Sequence, residues 1–214
     1  QYTLSLHDAL PICVLLDIDF GTYPFVTSSS PSPGGACTGL GISPLHVTGI
    51  LGIVKAYTTR VGSGPMPTEL EDEFGEQLRR EGGEFGATTG RPRRCGWFDA
   101  PAVRRALQVG GATEITLTKL DVLSAFDEIP VCVAYDTPAG RMERLPFDLE
   151  ILKAARPVYE IIPGWKEDLS CVRNIKDLPE KAAAYVKRIQ ELLETPINMV
   201  SVGPDRKQTF EFKM

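Results

Sequence analysis

The sequence contains few of the residues from which metal and disulfide sites are built. There are two histidines and five cysteines among 214 residues, and no two cysteines form a C-x-x-C pair. Such scattered cysteines do not have the spacing of a zinc site. An odd number of cysteines favours free thiols in a reducing compartment over a disulfide framework. We therefore assign no metal ligand to this chain.

A basic charge excess and long apolar runs are also lacking. The formal net charge is −5, whereas nucleic-acid-binding domains usually carry a basic field, so we expect no nucleic-acid partner. No apolar run approaches the roughly 18 residues of a membrane-spanning helix, and we expect no membrane span. Asp8 and Pro11 interrupt the apolar N-terminal residues, which argues against a signal peptide. The prediction is a cytoplasmic protein, or a plastid protein if its source is photosynthetic.

The segments that are present alternate between strand-like and helix-like patterns. Short apolar or β-branched runs predict strands at residues 14–19, 50–61, 115–117, 131–135, 158–162 and 197–202. Apolar residues at helical spacing, together with end signals, predict helices at residues 68–82, 99–109 and 177–194. Strands that alternate with helices predict an α/β fold, in which ligands bind beyond the carboxyl ends of the strands.

Three helix boundaries and one loop have specific signals. Asp99 is predicted to be an N-cap, and Gly110 is predicted to end the helix that follows it. Asp177–Glu180 is predicted to form an acidic capping box for the last helix. The Ser-, Pro- and Gly-rich residues 28–41 predict a loop, which is either a flexible linker or a surface where a ligand approaches the backbone.

Residues 84–99 combine glycines, hydroxyls and arginines in one short segment, and we call residues 84–94 the arginine loop. Gly86 and Gly90 can adopt positive φ, which lets the backbone wrap closely around a ligand. Guanidinium forks suit pairs of carboxylate or phosphate oxygens, and hydroxyls add further donors. The side chains of these types are Thr88, Thr89, Arg91, Arg93 and Arg94. The loop predicts a site for a small, strongly anionic molecule, and the alternative is a solvated basic turn.

Two short patterns after predicted strands suit a guanine base. Lys119-x-Asp121 provides a carboxylate that can accept hydrogen bonds from guanine N1–H and its exocyclic amine, a donor pair that adenine lacks. Ser201-Val202-Gly203 is a small-residue turn that can aim backbone N–H groups at a base carbonyl. Both patterns are short. Taken alone, a surface Lys-Asp pair and an ordinary turn explain them better.

Five longer motifs occur in a defined order along the chain. They are Leu16–Pro24, Lys55–Gly62, the arginine loop, Leu117–Leu123 and Pro163–Trp165. With these motifs in this order, the sequence resembles the adenylosuccinate synthetase family from about Val14 to its C-terminus. The sequences of two of these motifs, Cys-Gly-Trp and Ala-Tyr-Thr-Thr-Arg, resemble eukaryotic members of the family more than bacterial ones.

The resemblance implies an activity, a fold and an assembly. Members of the family use GTP and Mg²⁺ to phosphorylate the O6 of IMP. The amine of L-aspartate then displaces that phosphate to give adenylosuccinate, in the first committed step of AMP biosynthesis. The implied fold is a P-loop-like mixed sheet with flanking helices, of which this chain is the C-terminal portion, and the full-length enzyme is expected to be a homodimer. The alternative from another class is a non-enzymatic guanine-nucleotide-binding module.

The resemblance also assigns residues of this chain to three ligands. The implied aspartate ligands are Ala87, Thr88, Thr89, Gly90, Arg91, Pro92 and Arg93. The implied IMP ligands are Thr27 and Arg91. The implied GTP ligands are Arg93, Lys119, Leu120, Asp121, Ser201, Val202 and Gly203.

The sequence departs from the family at its N-terminus. The family's glycine-rich phosphate loop with its catalytic Asp, its catalytic His and its Mg²⁺ ligands belong to an N-terminal half that this sequence does not contain. Residues 1–13 stand where the family has an IMP-binding segment and do not resemble it, so we expect a foreign leader before residues 14–214. We therefore predict that the chain carries specificity sites without catalytic residues and is inactive alone.

Overall fold

A computed structural model describes residues 11–86 and 90–212 of the chain. Within these ranges, the α-helices are α1 Pro11–Leu15, α2 Pro33–Leu40, α3 Glu73–Gly82, α4 Ala100–Gly110, α5 Leu149–Ala154 and α6 Glu180–Leu193. The strands are β1 Leu51–Lys55, β2 Thr58–Arg60, β3 Arg94–Gly96, β4 Phe98–Asp99, β5 Glu114–Thr118, β6 Glu128–Thr137, β7 Gly140–Met142, β8 Arg156–Pro163, β9 Ile197–Ser201 and β10 Thr209–Glu211. Short 3₁₀ helices cover Pro44–His46, Leu120–Ala125, Ile175–Asp177 and Arg206–Gln208. The predicted α/β fold with a mixed sheet and flanking helices is confirmed.

The main sheet has the strand order β1-β5-β9-β10. β1, β5 and β9 are parallel, and β10 is antiparallel to β9. The central strand β5 is buried at Ile115–Leu117, as expected for a parallel strand that is covered on both faces. The three parallel strands end at one side of the sheet, which we call the carboxyl edge. Their last residues are Lys55, Thr118 and Ser201.

A second sheet has the path β4-β6-β7, with β8 also paired with β6. β4 runs parallel to β6, whereas β7 and β8 run antiparallel to it. The long β6–β8 ribbon has a register shift between Cys132 and Ala134. A tight turn joins β6 to β7 at residues 137–140. β2 and β3 form a separate two-stranded ribbon.

Helix α6 packs its apolar stripe into the main core. The stripe predicted from helical spacing is at most 2% exposed at each of its members, Ala182, Val186, Ile189 and Leu193. Burying a Val or Leu side chain contributes about 1.5–3 kcal/mol relative to leaving it exposed. On the same helix, the Tyr185 hydroxyl donates to the Ala56 carbonyl at 2.7 Å. This bond ties α6 to the segment that follows β1.

The ends of α3 and α4 are set by their capping residues. The Asp99 carboxylate accepts a hydrogen bond from Ala102 N–H at 3.1 Å, so the predicted N-cap of α4 is confirmed. α4 ends one residue later than predicted, before the left-handed Gly111. α3 begins at Glu73 rather than at residue 68, because the Asp72 carboxylate caps the first turn there.

The strand predicted at residues 14–19 is wrong. α1 ends at Leu15, and the chain then turns. The carboxylate of Asp17 accepts hydrogen bonds from the N–H groups of Asp19 at 2.8 Å and Phe20 at 3.0 Å. These local bonds hold a turn, which competes with an extended conformation.

Three further local predictions need correction. The loop predicted at residues 28–41 contains α2, which starts at a proline and ends before the left-handed Gly41. The predicted strand at residues 50–61 is divided into β1 and β2 by a bend. The predicted capping box of α6 does not form. Its N-cap is Pro179, which offers no side-chain acceptor, and Asp177 belongs to a preceding 3₁₀ turn.

Candidate functional site

The two turns predicted to bind guanine lie side by side at the carboxyl edge. β5 and β9 are adjacent and parallel, with Leu117 opposite Val200. Lys119 directly follows β5, and Val202 directly follows β9. The 3₁₀ helix at residues 120–125 contacts β9. The fold therefore brings together two patterns that are far apart in the sequence.

The turn after β5 contains a strained residue. Lys119 has φ +63° and ψ +28°, in the left-handed region. For a residue with a Cβ such a conformation costs about 1–3 kcal/mol, and residues of this kind cluster at functional sites. Its Nζ donates to the carbonyl of Gly82 at 2.8 Å, which ties the turn to the C-terminal end of α3. The next residue, Leu120, is fully buried and anchors the turn in the core.

Asp121 presents a buried acceptor at this turn. Within the described part of the chain, its Oδ1 is buried and has no hydrogen-bond partner. Burial raises the pKa of Asp121, although the N–H groups of Asp121 and Val122 and the charge of Lys119 oppose the shift. A buried carboxylate oxygen without a donor is costly, so this atom suits a ligand that brings its own N–H groups.

The turn after β9 is shaped by close packing. The Ser201 hydroxyl donates to the Gly203 carbonyl at 3.0 Å, and Val202 N–H donates to the Gln208 carbonyl at 2.9 Å. A Cβ on Gly203 would lie 2.4 Å from the side-chain Oε1 of Gln208. Gly203 is therefore required by the approach of Gln208, which also completes a capping box with Asp205.

The described parts of the arginine loop, on either side of residues 87–89, pair as the two arms of a hairpin. Phe85 and Pro92 pair as an antiparallel bridge. Gly86 N–H donates to the Arg91 carbonyl at 2.9 Å, and Gly90 N–H donates to the Gly86 carbonyl at 2.8 Å. Gly90 has φ +64°, so it adopts the positive φ that the sequence analysis expected of a glycine at this position. Three residues of the predicted aspartate site lie outside the described residues, namely Ala87, Thr88 and Thr89.

The arginines of this loop have different environments. The Nε and Nη2 of Arg94 both donate to the carboxylate of Glu69. Its Nη1 also donates to the carbonyls of Gly62 at 3.1 Å and Gly64 at 2.9 Å. The donors of Arg94 are therefore used within the protein. Arg91 is exposed at the end of the hairpin. Arg93 belongs to a buried group of charged side chains.

This buried group, which we call the Glu84 cluster, consists of Lys55, Tyr57, Glu84 and Arg93. Glu84 Oε1 accepts hydrogen bonds from Lys55 Nζ at 2.6 Å and from the Tyr57 hydroxyl at 2.5 Å. Glu84 Oε2 accepts from Arg93 Nη1 at 2.9 Å. The side chain of Glu84 is 1% exposed. Within the described part of the chain, Arg93 Nε is buried without a hydrogen-bond partner.

The charges of the Glu84 cluster depend on one another. Burial lowers the pKa of Lys55, and the adjacent Glu84 carboxylate opposes this. Burial alone would raise the pKa of Glu84, but Lys55 and the hydrogen bonds from Tyr57 and Arg93 outweigh it and lower that pKa. Burial and the carboxylate both raise the pKa of Tyr57, so its hydroxyl stays protonated. One carboxylate then faces two cations, which leaves an excess of positive charge.

Thr27, predicted to bind IMP, lies on a different segment. It is exposed, and its N–H and hydroxyl donate to the Leu16 carbonyl at 2.8 and 3.2 Å. The fully buried Arg60 fixes this segment by donating to Thr22 Oγ1 at 3.0 Å and to the Phe25 carbonyl at 3.1 Å. None of the described hydrogen bonds of Thr27 reaches the carboxyl edge.

Sequence analysis missed most of the Glu84 cluster and the anchoring role of Arg60. One signal was available, because Lys55 is a charged residue within the β-branched run predicted as a strand at residues 50–61, and β1 ends at this residue. A charged residue at that place is a candidate for the site. Glu84 gave no comparable signal, because a buried glutamate in a polar loop has no distinctive spacing.

The described residues offer no metal site, ionised thiol at Cys95 or membrane-spanning helix. Among residues 11–86 and 90–212, no group of three or more His, Cys, Asp or Glu side chains could hold a metal ion. Burial raises the pKa of Cys95 to about 11, so its thiol is not ionised at neutral pH. No helix in the described part of the chain is long and apolar enough to span a bilayer.

Parallel strands that end in ligand-type turns are typical of α/β nucleotide-binding proteins. The sequence pattern of the adenylosuccinate synthetase family matches residues 12–210. The predicted resemblance is therefore confirmed, and the chain belongs to the adenylosuccinate synthetase family.

Two bacterial relatives and one solved structure support this assignment. The chain is 58% identical over 200 residues to the adenylosuccinate synthetase of Acidothermus cellulolyticus, covering 93% of this chain and 47% of the relative. It is 59% identical over 199 residues to that of Geobacter metallireducens, covering 93% and 46%. The fully ligated adenylosuccinate synthetase from Plasmodium falciparum is 45% identical with a TM-score of 0.90, covering 94% of this chain and 48% of that one.

The chain thus spans about half the length of the curated relatives it matches. The two bacterial relatives share more residues with this chain than the Plasmodium protein does. These comparisons therefore do not support the expectation that the motifs of this chain are closer to those of eukaryotic members.

Proposed function

We propose that this chain supplies the guanine- and aspartate-recognition part of an adenylosuccinate synthetase. The complete enzyme would use GTP to activate the O6 of IMP and would join L-aspartate there, giving adenylosuccinate, GDP and phosphate. The observation that carries the proposal is Asp121 Oδ1, which is buried without a hydrogen-bond partner among the described residues and lies beside the Ser201–Gly203 turn. Guanine brings the N–H donors that this acceptor needs.

The guanine site would be formed by the two turns of the carboxyl edge. The residues on the two sides are Lys119, Leu120 and Asp121, and Ser201, Val202 and Gly203. Adenine has an acceptor where guanine has N1–H, so the Asp121 carboxylate would stay unpaired in a complex with ATP. An unpaired buried group costs about 1–3 kcal/mol, which is enough to favour GTP by about 5- to 150-fold.

The arginine loop would bind the carboxylates of aspartate. Its hairpin presents Gly90, Arg91 and Pro92 on the exposed side, where a planar guanidinium suits a carboxylate. Together with the implied ligands at 87–89, these residues would form the aspartate site. Arg91 would also reach IMP, Arg93 would contact both aspartate and GTP, and Thr27 would bind the IMP phosphate.

Activation of the O6 of IMP would need groups from the remainder of the relatives' length. The described residues do not form a metal site, so we assign none of them to Mg²⁺ and derive no step through it. This chain would supply some of the residues that bind aspartate, IMP and GTP. The chain alone is expected to be inactive. Dimerisation of the complete enzyme and a cytoplasmic location stay predictions.

The test uses this chain joined to the N-terminal half of the Geobacter metallireducens relative, which we call the completed enzyme. Adenylosuccinate should form only when GTP, IMP and L-aspartate are all present. The chain alone is the matched control and should form none. A completed enzyme that binds GTP but shows no dependence on aspartate would refute the synthetase proposal and favour a guanine-nucleotide-binding module.

A further inference from the structure

Arg93 is fixed at its backbone and at one corner of its guanidinium. Its N–H donates to the Glu84 carbonyl at 2.9 Å, and its own carbonyl accepts from Arg79 Nε at 3.0 Å. Its Nη1 is bound to Glu84, whereas its Nε is buried without a partner in the described part of the chain. The fork is therefore held from one side with a donor left unused.

Glu84 is itself immobilised from two other directions. Lys55, at the end of β1, donates to Oε1 and also to Thr59 Oγ1 at 3.2 Å. The Tyr57 hydroxyl donates to the same Oε1 and is itself buried. Charge-assisted hydrogen bonds of this kind are short and strong, so the carboxylate has little freedom to rotate. It provides a rigid point of attachment for an arginine.

The same helix end supports the turn at residues 119–121, which we call the guanine turn after its proposed ligand. Glu84 N–H donates to the Arg79 carbonyl at 2.9 Å, just beyond the last turn of α3. Two residues earlier, the Gly82 carbonyl accepts from Lys119 Nζ. A Cβ on Gly82 would lie 2.2 Å from the Tyr57 hydroxyl, so this ring packs directly on the helix end. The C-terminal end of α3 thus connects the arginine loop to the guanine turn.

We propose that Glu84 is a positioning residue that aims the guanidinium of Arg93 at the bound nucleotide. This inference rests on the proposed function, because only there is Arg93 assigned to GTP. Glu84 binds Nη1, and the part of the Arg93 side chain that is still exposed, 25% of it, is left for an oxygen of the nucleotide. The excess positive charge of the Glu84 cluster adds attraction for an anion at that place. Without the carboxylate, the guanidinium would lose its fixed direction.

The test is a double-substitution cycle in the completed enzyme. Glu84→Gln should raise the KM for GTP, and the Kd of a non-hydrolysable GTP analogue, about tenfold, because a neutral amide accepts a weaker hydrogen bond. The kcat should stay within about twofold, as expected when uniform binding is lost. In an Arg93→Ala background, the same substitution should add less than about twofold, because Glu84 acts through Arg93. Equal effects in both backgrounds, or no effect in either, would overturn the inference.

Two further variants separate positioning from loss of structure. Glu69→Gln is the matched control, because Glu69 also pairs with an arginine of the loop, but with Arg94, whose donors are used within the protein. It should lower the thermal stability without raising the KM for GTP. An equal rise in KM would show general loosening and would overturn the inference.

The double variant Lys55→Met/Glu84→Gln covers the case in which Glu84→Gln leaves Lys55 unpaired and the protein unfolded. It removes both buried charges and should raise the KM as the single change does, again only when Arg93 is present. If the unsubstituted completed enzyme fails to bind the GTP analogue, the proposed function fails and the Glu84 inference falls with it. If it binds the analogue and the cycle is additive, only the Glu84 inference is overturned.

Discussion

Replacing Asp121 with Asn is the most direct perturbation of the proposed base site. Asn keeps the size of the side chain and one acceptor oxygen, but it replaces the second carboxylate oxygen with an NH₂ donor. In a complex with GTP, this donor would face the exocyclic amine of guanine. One buried donor would be left unpaired at a cost of about 1–3 kcal/mol, so kcat/KM for GTP should fall about 5- to 150-fold.

The same change should improve the use of xanthosine triphosphate. Its base has a carbonyl at the position where guanine has the amine, and that carbonyl can accept from the new NH₂ group. The remaining oxygen of Asn would still accept from N1–H. The ratio of kcat/KM values for the two nucleotides should therefore move towards xanthosine triphosphate by a similar factor of about 5 to 150.

The assay is steady-state kinetics of the completed enzyme with GTP, ATP and xanthosine triphosphate. Asp127→Asn is the matched control, because it makes the same substitution nearby in a side chain that is 85% exposed. Burial raises the pKa of Asp121, so its negative charge does not stabilise the fold, and Asn should not lower the melting temperature. A folded Asp121→Asn variant with an unchanged nucleotide ratio would refute the guanine assignment.

Three other predictions concern the arginine loop, a buried acid and the second turn. Arg91→Leu should lower kcat/KM for aspartate about 100-fold or more, because charge-assisted hydrogen bonds to the carboxylate are lost; unaltered aspartate kinetics would remove the loop from the site. Burial raises the pKa of Asp99 to about 6, so the folded state binds a proton that the unfolded state releases near its lower pKa. The unfolding free energy of the completed enzyme should then fall by up to about 3 kcal/mol as the pH rises from about 4 to about 6. Asp99→Asn should flatten this slope in denaturant titrations, and an equal slope in both proteins would contradict the assignment. Gly203→Ala should raise the KM for GTP about tenfold, because overpacking costs about 1–3 kcal/mol. Its Cβ would lie 2.4 Å from Gln208 Oε1, so adding Gln208→Ala should restore the KM; a double variant as weak as the single one would count against this cause.

Elements with a clear period or a strong end signal could be predicted from the sequence. The buried stripe of α6 is visible because its apolar residues repeat at helical spacing. The N-cap Asp99 is visible because its acceptor and its partner Ala102 are neighbours in the sequence. The meeting of the turns at residues 119–121 and 201–203 follows from the rule that parallel strands end at one edge.

Local structure without a period could not be predicted in the same way. α1 has five residues and α2 has eight, which is too short for a hydrophobic pattern to develop, and α2 includes a proline and three glycines. Propensity therefore favoured strand or loop at these places. The turn at Asp17 depends on which backbone N–H groups its carboxylate meets, and a single sequence does not show this.

The Glu84 cluster is the part of the candidate site that depends most on the three-dimensional fold. Lys55 and Glu84 are separated by 29 positions and lie on different elements. Their pairing follows from the packing of the end of β1 against the end of α3, which no local pattern encodes. Sequence reasoning identified Arg93 as a candidate ligand but gave no indication of which groups hold it.

The C-terminal end of α3 restricts the routes by which this protein can evolve. The Gly82 carbonyl holds Lys119, and a side chain at Gly82 would collide with the Tyr57 hydroxyl. Glu84, two residues later, holds Arg93. A substitution that moves this helix end would therefore disturb the guanine turn and the arginine loop at once. Under the proposed function, a change of nucleotide that began there would also alter the proposed aspartate site, so such a change would have to begin in the turns themselves.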